Sequence, residues 1–221
     1  MHKSRQPYPI TREQLAQWLQ NNPLPPENSH SGVDSSRQTQ ASSASSIASL
    51  TPAAVLIPII NHQNGLHILF TQRTDQLTHH AGQISFPGGR VEPSDRDITH
   101  TALRESMEET GLPADRVTVL GTLPQHITGT GYLVTPVVGW IDPPISYQPD
   151  PAEVAECFEV PFHFLIDPAN HRQETAMYKG QLRSYCAIPY EHRYIWGATA
   201  GIIVTLTRLI IQAVDMDKQS H

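Results

Sequence analysis

Three glutamates, Glu105, Glu108 and Glu109, follow one another in a stretch that reads as a helix, GGRVEPSDRDITHTALRESMEETGL over 88–112. At the helical rotation they fall within roughly 100° of arc on one face. Like charges at that spacing repel by a few tenths of a kcal/mol each in water, and by more in a cleft that holds less water. A divalent cation removes that cost, and hard cations such as Mg²⁺ prefer carboxylate oxygen. Glu92 and Asp95 stand just upstream and could join the cluster. The competing interpretation is a solvated acidic helix face. Two neighbours weigh against it. Pro87-Gly88-Gly89 precedes the helix and lets backbone approach a ligand closely, and Arg104 is a permanently charged partner able to hold Glu105 in place.

The helix itself is bounded by recognisable signals. Asp97 or Thr99 can cap its start, and Gly111 sits where helices end in a left-handed residue. Leu103 and Met107 lie opposite the glutamates and are expected to pack inward.

This stretch resembles the Nudix box, GX5EX7REUXEEXGU. Gly89, Arg104-Glu105, Glu108-Glu109 and Gly111-Leu112 carry the match. The spacer from Gly89 to Arg104 is one residue longer than the common form, Asp95 stands where glutamate is usual, and Ser106 replaces the usual aliphatic residue. A narrower resemblance, to the coenzyme A pyrophosphatase branch, rests on Leu69, Thr71, Arg73, Gly82, Phe86, Pro87, Gly88 and Gly89 at that branch's spacing. Phe70, Thr74 and Thr78 depart from it, and Thr78 replaces a second arginine that His79 or His80 could substitute for. The Ile195-Trp196-Gly197 turn before the last helix is similar to that branch too.

The resemblance implies an α/β fold, an α/β/α sandwich with a mixed sheet between helices. It implies hydrolysis of a nucleoside diphosphate linked to another group, with Mg²⁺ or Mn²⁺ held by Glu105, Glu108 and Glu109. Glu105, oriented by Arg104, is the candidate for activating water, and a base outside the box is the alternative. Glu153 and Glu156 are candidates for that role or for completing the metal site. Arg73, Gly88 and Gly89 are the candidate substrate-binding residues, although Arg73 is equally well explained as a partner of the acidic helix. The narrower branch implies coenzyme A and its acyl or oxidised derivatives as substrate. The rivals are a Nudix hydrolase of another diphosphate, such as ADP-ribose, and a catalytically silent Nudix module that binds a nucleotide or protein.

The rest of the 221 residues must position these groups. The apolar run AAVLIPII (53–60) reads as a central strand, Asn64-Gly65 as a turn, and LHILFTQR (66–73) as the returning strand. Strands are expected over 117–123, within 126–140 and from 153, the last leading into a short helix. A hairpin is expected over 173–190, and a final helix follows Trp196-Gly197. TREQLAQWLQN (11–21) reads as an amphipathic helix capped by Thr11, with Leu15, Trp18 and Leu19 as its apolar stripe. The Ser- and Pro-rich stretch 22–50 has almost nothing to bury and is expected to be a flexible linker. This gives an N-terminal extension over 1–50, a hydrolase domain over 51–214 and a tail over 215–221.

A formal net charge of -6 provides no basic footprint for nucleic acid. Cys157 and Cys186 have no metal-ligand spacing and suit a reducing cytoplasm, while leaving one disulfide open. The twelve histidines show no regular ligand motif. The opening MHKSRQPYPITREQ has no apolar core, so no secretory signal is expected. The stretch 195–214 is about as long as a membrane span, but Arg208 interrupts its centre, favouring a buried core helix and no stable membrane insertion. A homodimer is compatible with the sequence.

Overall fold

A computed structural model describes residues 10–21, 49–75, 82–178 and 180–219. Most of the expected linker, together with Thr78, His79, His80 and Lys179, lies outside the described residues.

The continuous apolar run becomes strand β1 (Thr51–His62) because both of its faces are covered. Ala53, Ile57 and Ile59 pack into the larger of two cores, and Ala54, Leu56 and Ile60 into the smaller. Along one edge β1 pairs in parallel with β7 (Tyr132–Ile141) from Thr51 to Ile60. Its other edge is divided. The first half pairs with the short β4 (Gly88–Arg90), and the second half forms a hairpin with β2 (Gly65–Arg73) through the turn at Gln63-Asn64. That division seats the glycine pair against the middle of the sheet.

The remaining strands extend this mixed sheet. β3 (Ile84–Ser85) and β8 (Val154–Pro161) pair with β2, while β5 (Thr118–Thr122) and β6 (His126–Ile127) pair with β7. A separate antiparallel sheet joins β9 (Arg172–Tyr178), β10 (Gln181–Tyr190) and β11 (Arg193–Trp196). The short strands β3, β4 and β11 were not expected from the sequence, being too brief for a period-2 pattern.

Helices cover both faces. Helix α2 (Ile98–Thr110) packs on β1 and β4 above the smaller core, where Ala102 and Leu112 are buried. Helix α3 (Phe162–Leu165) follows β8 directly. Helix α1 (Arg12–Asn21) and helix α4 (Ala198–Gln219) pack into the larger core. The arrangement is the expected α/β/α sandwich.

Helix α1 opens with a reciprocal capping box, Gln14 N to Thr11 Oγ1 at 3.2 Å and Thr11 N to Gln14 Oε1 at 3.0 Å. Its Leu15 is fully buried, worth about 1.5–3 kcal/mol, and Trp18 Nε1 donates to Asp217 Oδ2 of α4 at 3.2 Å. Helix α4 is long and apolar enough to cross a membrane, yet Ile202, Ile203, Leu206 and Ile210 are buried in the core and Arg208 faces outward. Both cysteines are free.

Candidate active site

Helix α2 starts and stops where its caps dictate. Asp97 accepts from His100 N at 2.8 Å, and Gly111 takes the left-handed conformation (φ 72°), donating to Met107 O. The helix's rotation differs from the expectation in one respect. Leu103 is half-buried against the smaller core, but Met107 is 56% exposed. The inward positions are Thr101, Ala102, Ser106, Glu109 and Thr110, so the helix turns one of its acids toward the sheet. Ser106, placed where an aliphatic residue is usual, leaves a buried hydroxyl without a hydrogen-bond partner.

Glu109 is the buried acid, 5% exposed. Its Oε2 accepts from Gly88 N at 3.2 Å, and Arg73 Nη1 lies 3.9 Å from Oε1. The sheet fixes that glycine. Leu56 N donates to Pro87 O at 2.9 Å, and Gly88 stands opposite Val55, so close that a Cβ would meet Ala54 O at 2.3 Å. Only a residue without a side chain fits there. Burial is the largest influence on the Glu109 carboxyl, and it raises the pKa from 4.5 to about 8 against the pull of Gly88 N–H and Arg73.

Glu105 is half-buried, and burial raises its pKa as well. A Cβ on Gly89 would lie 2.4–2.5 Å from its carboxylate atoms, so Gly89 is the cradle in which that carboxylate rests. Arg104 holds it from the other side, Nη1 to Oε1 at 3.0 Å, and the same nitrogen reaches Glu108 Oε2 at 2.9 Å. Glu108 is the most exposed of the three, its side chain 58% accessible.

Arg104 is itself clamped. Nε and Nη2 donate to the two oxygens of Asp95 at 2.9 and 3.0 Å, and Nη2 also reaches Arg90 O. Asp95 further accepts from Thr101 and from Glu92 N. These bonds, the Arg104 guanidinium first among them, hold its carboxyl far below the usual range. This corrects the expectation that Asp95 could join the glutamate cluster: its oxygens are already engaged in fixing the arginine. Glu92 is exposed beside it.

The two acids considered outside the box part company. Glu156 is held by Arg193 through two bonds of 2.8 and 2.9 Å, which corrects its candidacy. Glu153 is exposed, yet its charge raises the pKa of both Glu105 and Glu109, so it looks onto the box. Among the narrower signature's residues, several are architectural. Phe86 is buried and stacks on Phe70 at 4.9 Å, Thr71 bonds to Ser85, and Gly82 is in a left-handed turn. Thr199, in the first turn of α4, donates to Ile84 O at 3.1 Å and fastens the strand that leads to the glycines.

The site therefore gathers three oxygen donors around Gly88-Gly89, with Arg104 as spacer. Such a donor set suits a hard divalent cation, and the charge that burial penalises at Glu109 is one a cation would offset.

The NUDIX domain family matches residues 50–179. The chain is 43% identical over 152 residues to "Uncharacterized Nudix hydrolase NudL" of Escherichia fergusonii, covering 68% of this chain and 78% of that protein. It is 41% identical over 158 residues to the protein of the same description from Photorhabdus laumondii, covering 72% and 84%. Among solved structures, a Nudix hydrolase from M. smegmatis, RenU, shares 24% identity over 51% of this chain and 71% of that chain, with a TM-score of 0.44.

Proposed function

Because this chain belongs to the Nudix family, hydrolases of nucleoside diphosphate derivatives, we propose that it cleaves the diphosphate of coenzyme A and of its acyl or oxidised derivatives. The products are adenosine 3′,5′-bisphosphate and 4′-phosphopantetheine or its acyl form. The single observation that carries the hydrolytic reading is the buried Glu109 carboxylate beneath Gly88 N–H, beside the Glu105 carboxylate that Arg104 holds and 3.9 Å from Arg73. The choice of coenzyme A rests on the sequence signature between Leu69 and Gly89, whose Arg73 reaches the site.

Glu105, Glu108 and Glu109 would hold Mg²⁺ or Mn²⁺. Bound there, the ion supplies charge neutralisation for the diphosphate and a more acidic water. The chain's own residues do the rest. Arg104, fixed by Asp95, keeps Glu105 from swinging toward solvent. Glu105 takes the proton from water attacking phosphorus, and Glu153 is the alternative base that faces it. Gly88 and Gly89 let the substrate's phosphates come against backbone. Arg73 supplies positive charge at the inner edge, where it contacts both Glu109 and substrate. The enzyme is expected to act in the cytoplasm on a small nucleotide, without nucleic acid.

Incubation with coenzyme A and Mn²⁺, followed by mass analysis of products, tests the reading directly. Adenosine 3′,5′-bisphosphate and 4′-phosphopantetheine are expected, with ADP-ribose and a dinucleotide polyphosphate hydrolysed far more slowly. A reversed order of rates replaces coenzyme A by another diphosphate. Hydrolysis of none of them refutes the catalytic assignment.

A further inference from the structure

At the other end of β1 three side chains from three strands converge. His62 is the last residue of β1, His67 lies on β2 and Glu159 on β8. The pairings Ile60 with His67, His62 with Gly65 and Leu69 with Glu159 put all three on the face of the sheet that carries α2. His62 stands eight residues along β1 from Ala54, the partner of Gly89, or about 26 Å at the usual rise. The group is therefore separate from the box.

Its geometry is that of a ligand set. One ligand atom from each residue lies within 4.8 Å of the other two, and all three residues are half-buried. His62 Nε2 is 2.6 Å from Glu159 Oε2, and the two imidazoles meet edge to face with centroids 5.2 Å apart. The outer atoms are oriented too. His67 Nδ1 is 3.1 Å from Gly65 O. A carbonyl oxygen only accepts, so Nδ1 carries the proton and Nε2 keeps its lone pair free. Tyr147 donates its hydroxyl to Glu159 Oε1 at 2.8 Å, which leaves Oε2 toward the histidines. Backbone carbonyls that fix an imidazole's tautomer, and hydroxyls that fix a carboxylate, are the usual supports of metal ligands. A plain His62–Glu159 pair would need neither.

We propose that His62, His67 and Glu159 form a second metal site, for a borderline divalent cation of the Zn²⁺ type. Two imidazoles and one carboxylate suit such an ion, whereas the three glutamates of the box suit a hard one. Partial exposure leaves the fourth coordination position to solvent. The site also has a mechanical connection. Tyr147 adjoins a segment in which Gln148 N donates to Thr110 O at 2.8 Å and Asp150 N to Glu109 O at 3.1 Å. An ion on Glu159 thus anchors the segment that backs the C-terminal end of α2.

The test uses metal-stripped full chain in excess Mg²⁺, equilibrated with Zn²⁺ and assayed by elemental analysis. Co²⁺ serves as a second probe, for the visible absorption of a tetrahedral site. The wild type and Glu109→Gln are expected to retain one equivalent of Zn²⁺. His67→Gln and Glu159→Gln should lose it, and Tyr147→Phe should weaken binding by about ten- to a hundredfold. Circular dichroism identifies any variant that does not fold, and Tyr147→Phe, which keeps its shape, gives a readout independent of the others. Absence of Zn²⁺ uptake by the wild type overturns the site. So does uptake that persists in His67→Gln, or that disappears in Glu109→Gln.

Discussion

At one end of β1, Glu109 lies beneath a glycine backbone among the carboxylates of the box; at the other, Glu159 lies beside two imidazoles. The first site is built from neighbours in sequence. The three box glutamates lie within a span of five residues of one helix, and the two glycines lie in the stretch that leads into it. The second is assembled from residues 62, 67 and 159, brought together only by strand pairing. Contiguity imposes like-charge crowding that the first site must resolve, whereas the second mixes donor types and has no such tension. The difference predicts that the box is sensitive to charge and to backbone clearance, and the strand-end site to the identity of its ring nitrogens.

The strongest way to break this contrast is Glu109→Gln. If the proposed metal role holds, loss of this buried carboxylate should lower kcat/KM by about a thousandfold or more, measured by coenzyme A turnover, with the fold retained. Turnover within tenfold of wild type would remove Glu109 from the centre of the box. Gly89→Ala tests clearance rather than charge. The added Cβ would fall 2.4 Å from Glu105 Cδ, so the carboxylate must move, and displacements near 1 Å typically cost about a hundredfold in rate.

Stability against pH sharpens the comparison further. Glu109 titrates at about 8 in the folded, metal-free protein and near 4.5 when unfolded, so between those values the folded state holds a proton that the unfolded state has released. Stability should therefore fall as pH rises from about 5 to 8, by a few kcal/mol at most at about 1.4 kcal/mol per unit. Thermal melts in EDTA should show this decline, and Glu109→Gln or saturating Mg²⁺ should flatten it. The smallest effect is expected at Ser106→Ala, which removes the unpartnered hydroxyl and should raise stability by up to about 1 kcal/mol in denaturant titration, with turnover unchanged.

What could be read in advance follows the same divide. The helix, its Asp97 and Gly111 caps and the crowding of Glu105, Glu108 and Glu109 are local properties, set within a few turns of chain. So was the two-faced burial of β1, since an uninterrupted apolar run has few other uses. The rotation of α2 was not local. Met107 faces outward because the sheet accepts the small Ala102 and Ser106 and the backbone-satisfied Glu109 instead. The fates of Asp95 and Glu156 depended on where Arg104 and Arg193 arrive, and Arg193 is 37 residues from its partner. His62 and His67 carried a faint signal as two histidines flanking a hairpin turn. Their third member, Glu159, could be found only through the register of β2 with β8.

The contact between Trp18 and Asp217 bears on where the chain can be cut. A crystallographer choosing an expression boundary from the family match would keep 50–179 and discard both partners of that bond. The cropped piece would leave Ile57, Phe70 and Leu120 without the helices that cover them, because α1 and α4 close the same core from opposite ends of the polypeptide. Such a fragment should come out of the cell insoluble although every box residue is intact, and the smallest piece worth producing begins before Thr11 and runs beyond Asp217.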